Sequence, residues 1–232
     1  CNVIGSSMSR FTGNGAYLHA GPEYAVASTK AFTSMVSALI LLALTISKAS
    51  PSERRPIVQQ LREVTNKVSV QLMEIDDSYE KAIDILENAS TAIFIGRGIS
   101  APLASEGALK MMEVAYLPCI SYPGGELKHG PIALIEENTP VIAIAPKDET
   151  LTLMESSIRE CKTRGAKIIL ITDNEGPITR FADVLLPTQS SGKETSVLIN
   201  SIPLQMLAYL LGERKGLNVD RPRNLAKSVT VV

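Results

Sequence analysis

Four short runs of Ile-, Val- and Leu-rich sequence limit what this chain can become: Ala92–Ile95, Val141–Ala145, Lys167–Thr172 and Val184–Leu186. None alternates apolar with polar residues, as a strand wetted on one side would. Near-continuous apolar strands are buried on both faces, which is the habit of parallel sheets. A brief fifth segment, Cys119–Tyr122, has similar texture. Helical spacing fills the gaps, over Pro102–Tyr116, about Leu151–Arg164 and about Val197–Lys215. Strands alternating with longer helices predict an α/β domain, a doubly wound parallel sheet flanked by helices, across roughly residues 51–216.

Three more helical patterns precede the strands. Ala27–Ser47 carries Ala31, Phe32, Met35, Val36, Leu39, Leu42, Ala43 and Ile46 at threes and fours, with Ser28 or Thr29 as candidate cap. Its other face adds Ile40, Leu41 and Leu44, which predicts burial on most sides. A stripe of Ile57, Leu61, Val64, Val68 and Leu72 predicts a helix over about Pro56–Ile75, and a short one follows near Tyr79–Glu87. The chain opens on Cys1 rather than Met, and Cys1–Gly5 reads as a strand entering a turn. An N-terminal cysteine can serve as a nucleophile with its own amine as base; the plainer reading is the interior of a longer chain.

Composition excludes several classes. Of 232 residues, 45% are apolar and 20% charged, with 23 Lys plus Arg against 24 Asp plus Glu. That balance rules out a disordered chain, a collagen or a polybasic tail, and gives no reason to expect nucleic acid. Cys1, Cys119 and Cys161 are odd in number and widely spaced, which fits a reducing compartment and a cytoplasmic protein. With two histidines, His19 and His129, they supply no metal-ligand spacing, so no metal and no cofactor is expected. The longest apolar run, Ala38–Leu44, is too short to span a membrane.

Chemistry concentrates in four places. Gly96-Arg97-Gly98-Ile99-Ser100 joins a strand to a helix, where open α/β sheets bind ligands, but Ala101 breaks the dinucleotide fingerprint and no Walker lysine follows. Glu106, Lys110 and Glu113, four and three apart, share one helix face; a surface ion-pair stripe and a carboxylate base beside a lysine both fit. Tyr122-Pro123-Gly124-Gly125-Glu126-Leu127-Lys128-His129-Gly130-Pro131 is costly in conformational entropy for a mere connector. Its His129 can move a proton near neutrality, or simply be a hydrogen-bonded structural residue. Ser28-Thr29-Lys30 can cap a helix or meet a polar ligand, and Lys227 is a lone lysine that could form an imine with a carbonyl.

Three stretches carry a resemblance: Ala20–Glu23 with Val26–Thr33, Gly124–Pro131, and Asp220–Val231. Together they resemble the glutamine–fructose-6-phosphate aminotransferases (glucosamine-6-phosphate synthases), in the isomerase half only. The resemblance implies the sugar-isomerase (SIS) fold, with residues 1–50 as the end of a first subdomain, 51–216 as a complete second one, and 217–232 as a tail closing the active site. It implies that Glu113 moves the proton between C1 and C2, that His129 assists ring opening from a neighbouring subunit, and that Lys227 forms the imine. Lys110 supports the catalysis, Glu106 is a polar residue of the active site, and Ser28 and Ala226 contact the sugar. The implied partners are a sugar phosphate, a second copy in a homodimer, and a glutaminase domain in the parent chain, with neither nucleic acid nor membrane.

The alternatives are a related SIS phosphosugar isomerase or deglycase, which the tail around Asn224–Lys227 disfavours, and a sugar-phosphate-binding module without turnover. The family's phosphate-binding loops lie before the equivalent of Cys1. The 232 residues by themselves are therefore expected to be feebly active or inactive, and to expose apolar surface along Met35–Leu44 that drives dimerisation.

Overall fold

A computed structural model describes residues 1–227; the end of the tail motif, 228–232, lies outside the described residues. Five parallel strands form one sheet in the order β2-β1-β3-β4-β5: β1 (Ala92–Gly96), β2 (Cys119–Pro123), β3 (Pro140–Ile144), β4 (Lys167–Thr172) and β5 (Val184–Pro187). The predicted doubly wound sheet is present, and each strand falls within a residue or so of its predicted range.

The pleat sorts these strands into two cores. Phe94, Ile142, Ile144, Ile169 and Ile171 face α4 (Asp77–Glu87), α5 (Ser100–Ala115) and α7 (Lys193–Arg214). Ile93, Ile95, Val141, Ala143, Ile168 and Leu170 face α6 (Leu151–Lys162) and its neighbouring turns. Consecutive residues thus enter opposite cores, which is why β1, β3 and the middle of β4 carry no polar side chain. By length and composition α7 could cross a membrane, but 72% of its most apolar stretch is buried inside the protein. It is the central core helix beneath the sheet, tightly packed on α5.

The region before the sheet departs from expectation. Cys1–Gly5 makes a turn, not a strand, and leads into α1 (Ser7–Thr12). A strand needs a neighbour to satisfy its backbone; here the Cys1 amine donates to the Ala16 carbonyl at 3.0 Å instead. The next helix, α2 (Lys30–Ile46), has no buried residue, and Met35, Leu39, Leu41 and Leu42 are exposed. Burial on most sides is therefore not observed, whereas the apolar exposure along Met35–Leu44 is. Neither Ser28 nor Thr29 caps this helix with its side chain.

The following helix, α3, spans Pro51–Met73 and starts five residues before the predicted Pro56. Ser50 and Glu53 form a reciprocal capping box, with Pro51 in the first turn where its missing N–H costs nothing. Pro56, read from sequence as the helix start, sits inside it.

Candidate active site

Helix α5 leaves the end of β1 through Gly96–Ile99, where Gly98 adopts a left-handed φ of +55° and makes the turn tight. Its next turns carry the charged triplet. Lys110 is only 4% exposed, so the triplet is not a solvated surface stripe. The Lys110 ammonium lies 2.5 Å from Glu113 Oε2 and 3.5 Å from Glu106 Oε1. One buried cation thus holds two carboxylates, both more open than itself. Burial raises the Glu106 carboxyl above the ordinary range and the Glu113 charge adds to that, against the pull of Lys110. Leu109 and Met112 of the same helix are partly exposed, whereas Met111 and Ala115 face the core.

The segment bearing Ser28 lies next to this helix. A cavity of about 210 Å³ is lined by Lys110 and Val114 of α5, by Ala27 and Thr29, and by Val219 and Asp220 of the tail. Ser28 is half-buried, between buried Ala27 and exposed Thr29. The tail is pinned across the same place. The Val26 amide donates to the Asp220 carbonyl at 3.0 Å, and the Arg223 amide donates to the Tyr116 hydroxyl at 2.6 Å. The Arg223 guanidinium also stacks 4.4 Å from the Tyr116 ring centre.

Beyond these ties the tail is exposed, Ala226 included, yet Lys227 is held. Its ammonium donates to Glu23 Oε2 at 2.7 Å and to the carbonyls of Ala25 and Val26 at 2.9 and 3.3 Å. Glu23 Oε1 accepts from the amides of Thr29 and Ala31, so this side chain does the capping that Ser28 and Thr29 do not. Partial burial pushes the Glu23 carboxyl up. Hydrogen bonds from Lys227, Thr29 and Ala31 outweigh that and hold it below the usual carboxylate range.

His129 stands apart. Its loop is braced at the base: the Gly124 amide donates to the Gly96 carbonyl at 2.8 Å, and the Ser157 hydroxyl donates to the Gly124 carbonyl at 2.9 Å. Arg97 donates to Ser157 at 3.2 Å and lies across Gly125, where a Cβ would come within 3.2 Å of the guanidinium. Leu127 is fully buried, but His129 at the tip is exposed. Among the described residues no hydrogen bond joins it to Glu113 or Lys227.

The fold therefore gathers Glu106, Lys110 and Glu113 with the segment of Ser28 and the tail of Ala226 and Lys227, and leaves His129 exposed and unbonded to them. Sequence reasoning missed Glu23, Tyr116 and Arg97. Glu23 lies inside a quoted motif, but nothing in its spacing tells that it reaches both a helix end and the tail. A groove of about 460 Å³ between α2, α3 and α7 is larger than the cavity but lined by no charged side chain, so it offers no acid–base chemistry.

A family model for the SIS domain matches residues 85–211, which includes all five strands and most of α7. The chain belongs to the SIS domain family. This SIS chain is 43% identical over its whole length to the glutamine–fructose-6-phosphate aminotransferase (isomerizing) of Chlorobaculum tepidum, and 41% identical to that of Bacteroides thetaiotaomicron. It spans 38% of the length of each. The solved C-terminal domain of glucosamine-fructose-6-phosphate aminotransferase from Francisella tularensis superposes with a TM-score of 0.88 at 33% identity, over 95% of this SIS chain and 63% of that one. The SIS fold, and likeness to the isomerase portion of the aminotransferase, are thus established together.

Proposed function

We propose that this SIS chain is the isomerase portion of an enzyme making glucosamine 6-phosphate from fructose 6-phosphate and glutamine-derived ammonia. One observation carries the reading: the tail with Lys227 is tied to the segment with Ser28, and that segment shares a cavity with Lys110, which holds Glu113. A lysine that can form an imine and a carboxylate that can shuttle a carbon-bound proton are what a ketose-to-aldose shift requires.

In this reading the Lys227 amine, free of its proton, adds to C2 of the open-chain ketose and water leaves; ammonia then adds to the imine carbon and the Lys227 amine departs, so the nitrogen left on C2 is the one glutamine supplied. The Glu113 carboxylate takes the proton from C1 and returns it at C2. Lys110 keeps that carboxylate placed, and Glu106 shares its charge. Ser28 and Ala226 contact the sugar. His129, exposed and not bonded to its own Glu113, serves ring opening in the site of a second copy, which makes the working unit a homodimer. The division into residues 1–50, 51–216 and 217–232 belongs to the same proposal, as do the glutaminase partner and the cytoplasmic location.

The test replaces the corresponding segment of the Chlorobaculum tepidum relative with these 232 residues. The chimera should form glucosamine 6-phosphate, and Glu113→Gln should lower turnover by about 10³-fold with the fold intact. A folded chimera without product, or product formation that survives Glu113→Gln, overturns the reading. The 232-residue chain alone, assayed for conversion of fructose 6-phosphate to glucose 6-phosphate, is expected to show little or no turnover.

A further inference from the structure

The Lys227 ammonium has three N–H groups, and each has an acceptor: Glu23 Oε2 and the carbonyls of Ala25 and Val26. Such complete satisfaction is unusual for a lysine with half its side chain exposed on an otherwise exposed segment. The carboxylate opposite is the reverse, with a side chain only 9% exposed and both oxygens in use. Glu23 is itself fixed by the first turn of α2, so its position is set by the fold and not by the tail. The two carbonyls of the cradle come immediately before Ala27 and Ser28, the segment that lines the cavity with Lys110.

We propose that Glu23 is a positioning residue for Lys227: it docks the tail lysine beside the Ser28 segment and so keeps it at high effective concentration for the sugar carbonyl. The proposal rests on the imine role of Lys227 for its purpose, but the docking stands on its own geometry. In the docked form all three N–H groups are engaged by the cradle. To add to a carbonyl it sheds a proton and gives up part of the cradle. Without Glu23 the tail keeps only its anchors at Asp220 and Arg223, upstream of the lysine.

Two measurements test this separately, the first of them on the 232-residue chain. Trypsin cuts after a lysine only when that side chain leaves its own contacts and enters the protease's acidic pocket, so cleavage after Lys227 counts undocked tails. Glu23→Gln keeps an oxygen for the α2 amides but loses the charge. It should speed cleavage after Lys227 roughly fivefold, with Glu23→Asp intermediate and cleavage in the folded domain unchanged. Equal rates in wild type and Glu23→Gln overturn the docking.

The second measurement, made on the chimera with the Chlorobaculum tepidum relative so that the sugar phosphate has its binding loops, traps the fructose 6-phosphate imine with borohydride and counts adducts at Lys227. Wild type should be labelled, Glu23→Gln roughly tenfold less, and Glu23→Asp in part restored. A rise in labelling in Glu23→Gln overturns the positioning role and makes Glu23 a brake. Wild type that traps nothing refutes the imine role, while the cleavage rates still decide the docking. Should Glu23→Gln fail to fold, Lys227→Gln leaves the α2 cap untouched. Amide exchange at Val26, bonded to Asp220, should then quicken, and unchanged exchange overturns the proposal.

Discussion

The charged face of α5 and the His129 loop carry the two densest chemical signals of the chain, and the structure treats them in opposite ways. On α5 the charged groups turn inward and satisfy one another: Lys110 is nearly inaccessible and pairs with Glu106 and Glu113. In the loop the apolar residue Leu127 turns inward and the titratable one turns out. The first arrangement can be completed within one chain. The second offers an exposed imidazole on a braced loop that, among the described residues, bonds to neither Glu113 nor Lys227, and in the proposed reading its chemistry belongs to the site of a second copy. Stability and function should therefore be coupled on α5 and separable at His129.

Lys110→Met should give the largest stability loss. It leaves two carboxylates close together without their buried cation, and breaking a buried charge pair from one side costs about 3 kcal/mol. Urea denaturation of the chain measures it. A loss under 1 kcal/mol would mean that the carboxylates separate into solvent and that α5 is not the coupled element.

Next in size is the base of the loop. Ser157→Ala removes the hydroxyl that links Arg97 to the Gly124 carbonyl, and should cost about 1–2 kcal/mol because both partners are left short inside the protein. The loss should appear also as faster amide exchange at Gly124, which bonds to the end of β1. Unchanged exchange there would show that buried Leu127, and not the hydrogen-bonded brace, holds the loop.

How much of this contrast can be read from residue order differs between its halves. The central strands are legible because burial on both faces makes β1, β3 and the middle of β4 continuously apolar. The spacing of Glu106, Lys110 and Glu113 shows a shared helix face, but not that the face is buried. That depends on Ala25–Thr29 and Val219–Asp220 lying beside it, segments about 85 and 110 residues away in the sequence. α2 shows the same limit from the other side. Its composition resembles that of the buried α7, yet it has no buried residue, because periodicity reports a face and not what covers it. Glu23 was illegible for a third reason: its two oxygens serve two elements that meet only in the folded chain.

A smaller effect separates the two regions by pH. Because burial raises Glu106 in the fold, the folded chain holds that proton more tightly than the unfolded one. Stability then falls as pH rises from the ordinary carboxylate pKa through the raised value. The charges that face Glu106 are Lys110, which opposes the shift, and Glu113, which adds to it. Comparing urea midpoints of wild type and Glu106→Gln across that window should show the decline in wild type alone. Parallel curves would mean Lys110 compensates Glu106 in full.

The smallest effect belongs to His129, and it is the sharpest. An exposed side chain at a loop tip contributes little to folding, so His129→Asn should change stability by no more than about 0.5 kcal/mol. If His129 serves the site of a second copy, the same substitution in the chimera should lower turnover about 10²-fold. Mixing the Glu113→Gln and His129→Asn chimeras should then restore activity, because a mixed dimer holds one site with both intact residues. No restoration would place His129 in the same chain's site and require its loop to move. A stability loss above 1 kcal/mol would make it a structural histidine, and the separation between the two regions would fail at the point where it is most exposed to test.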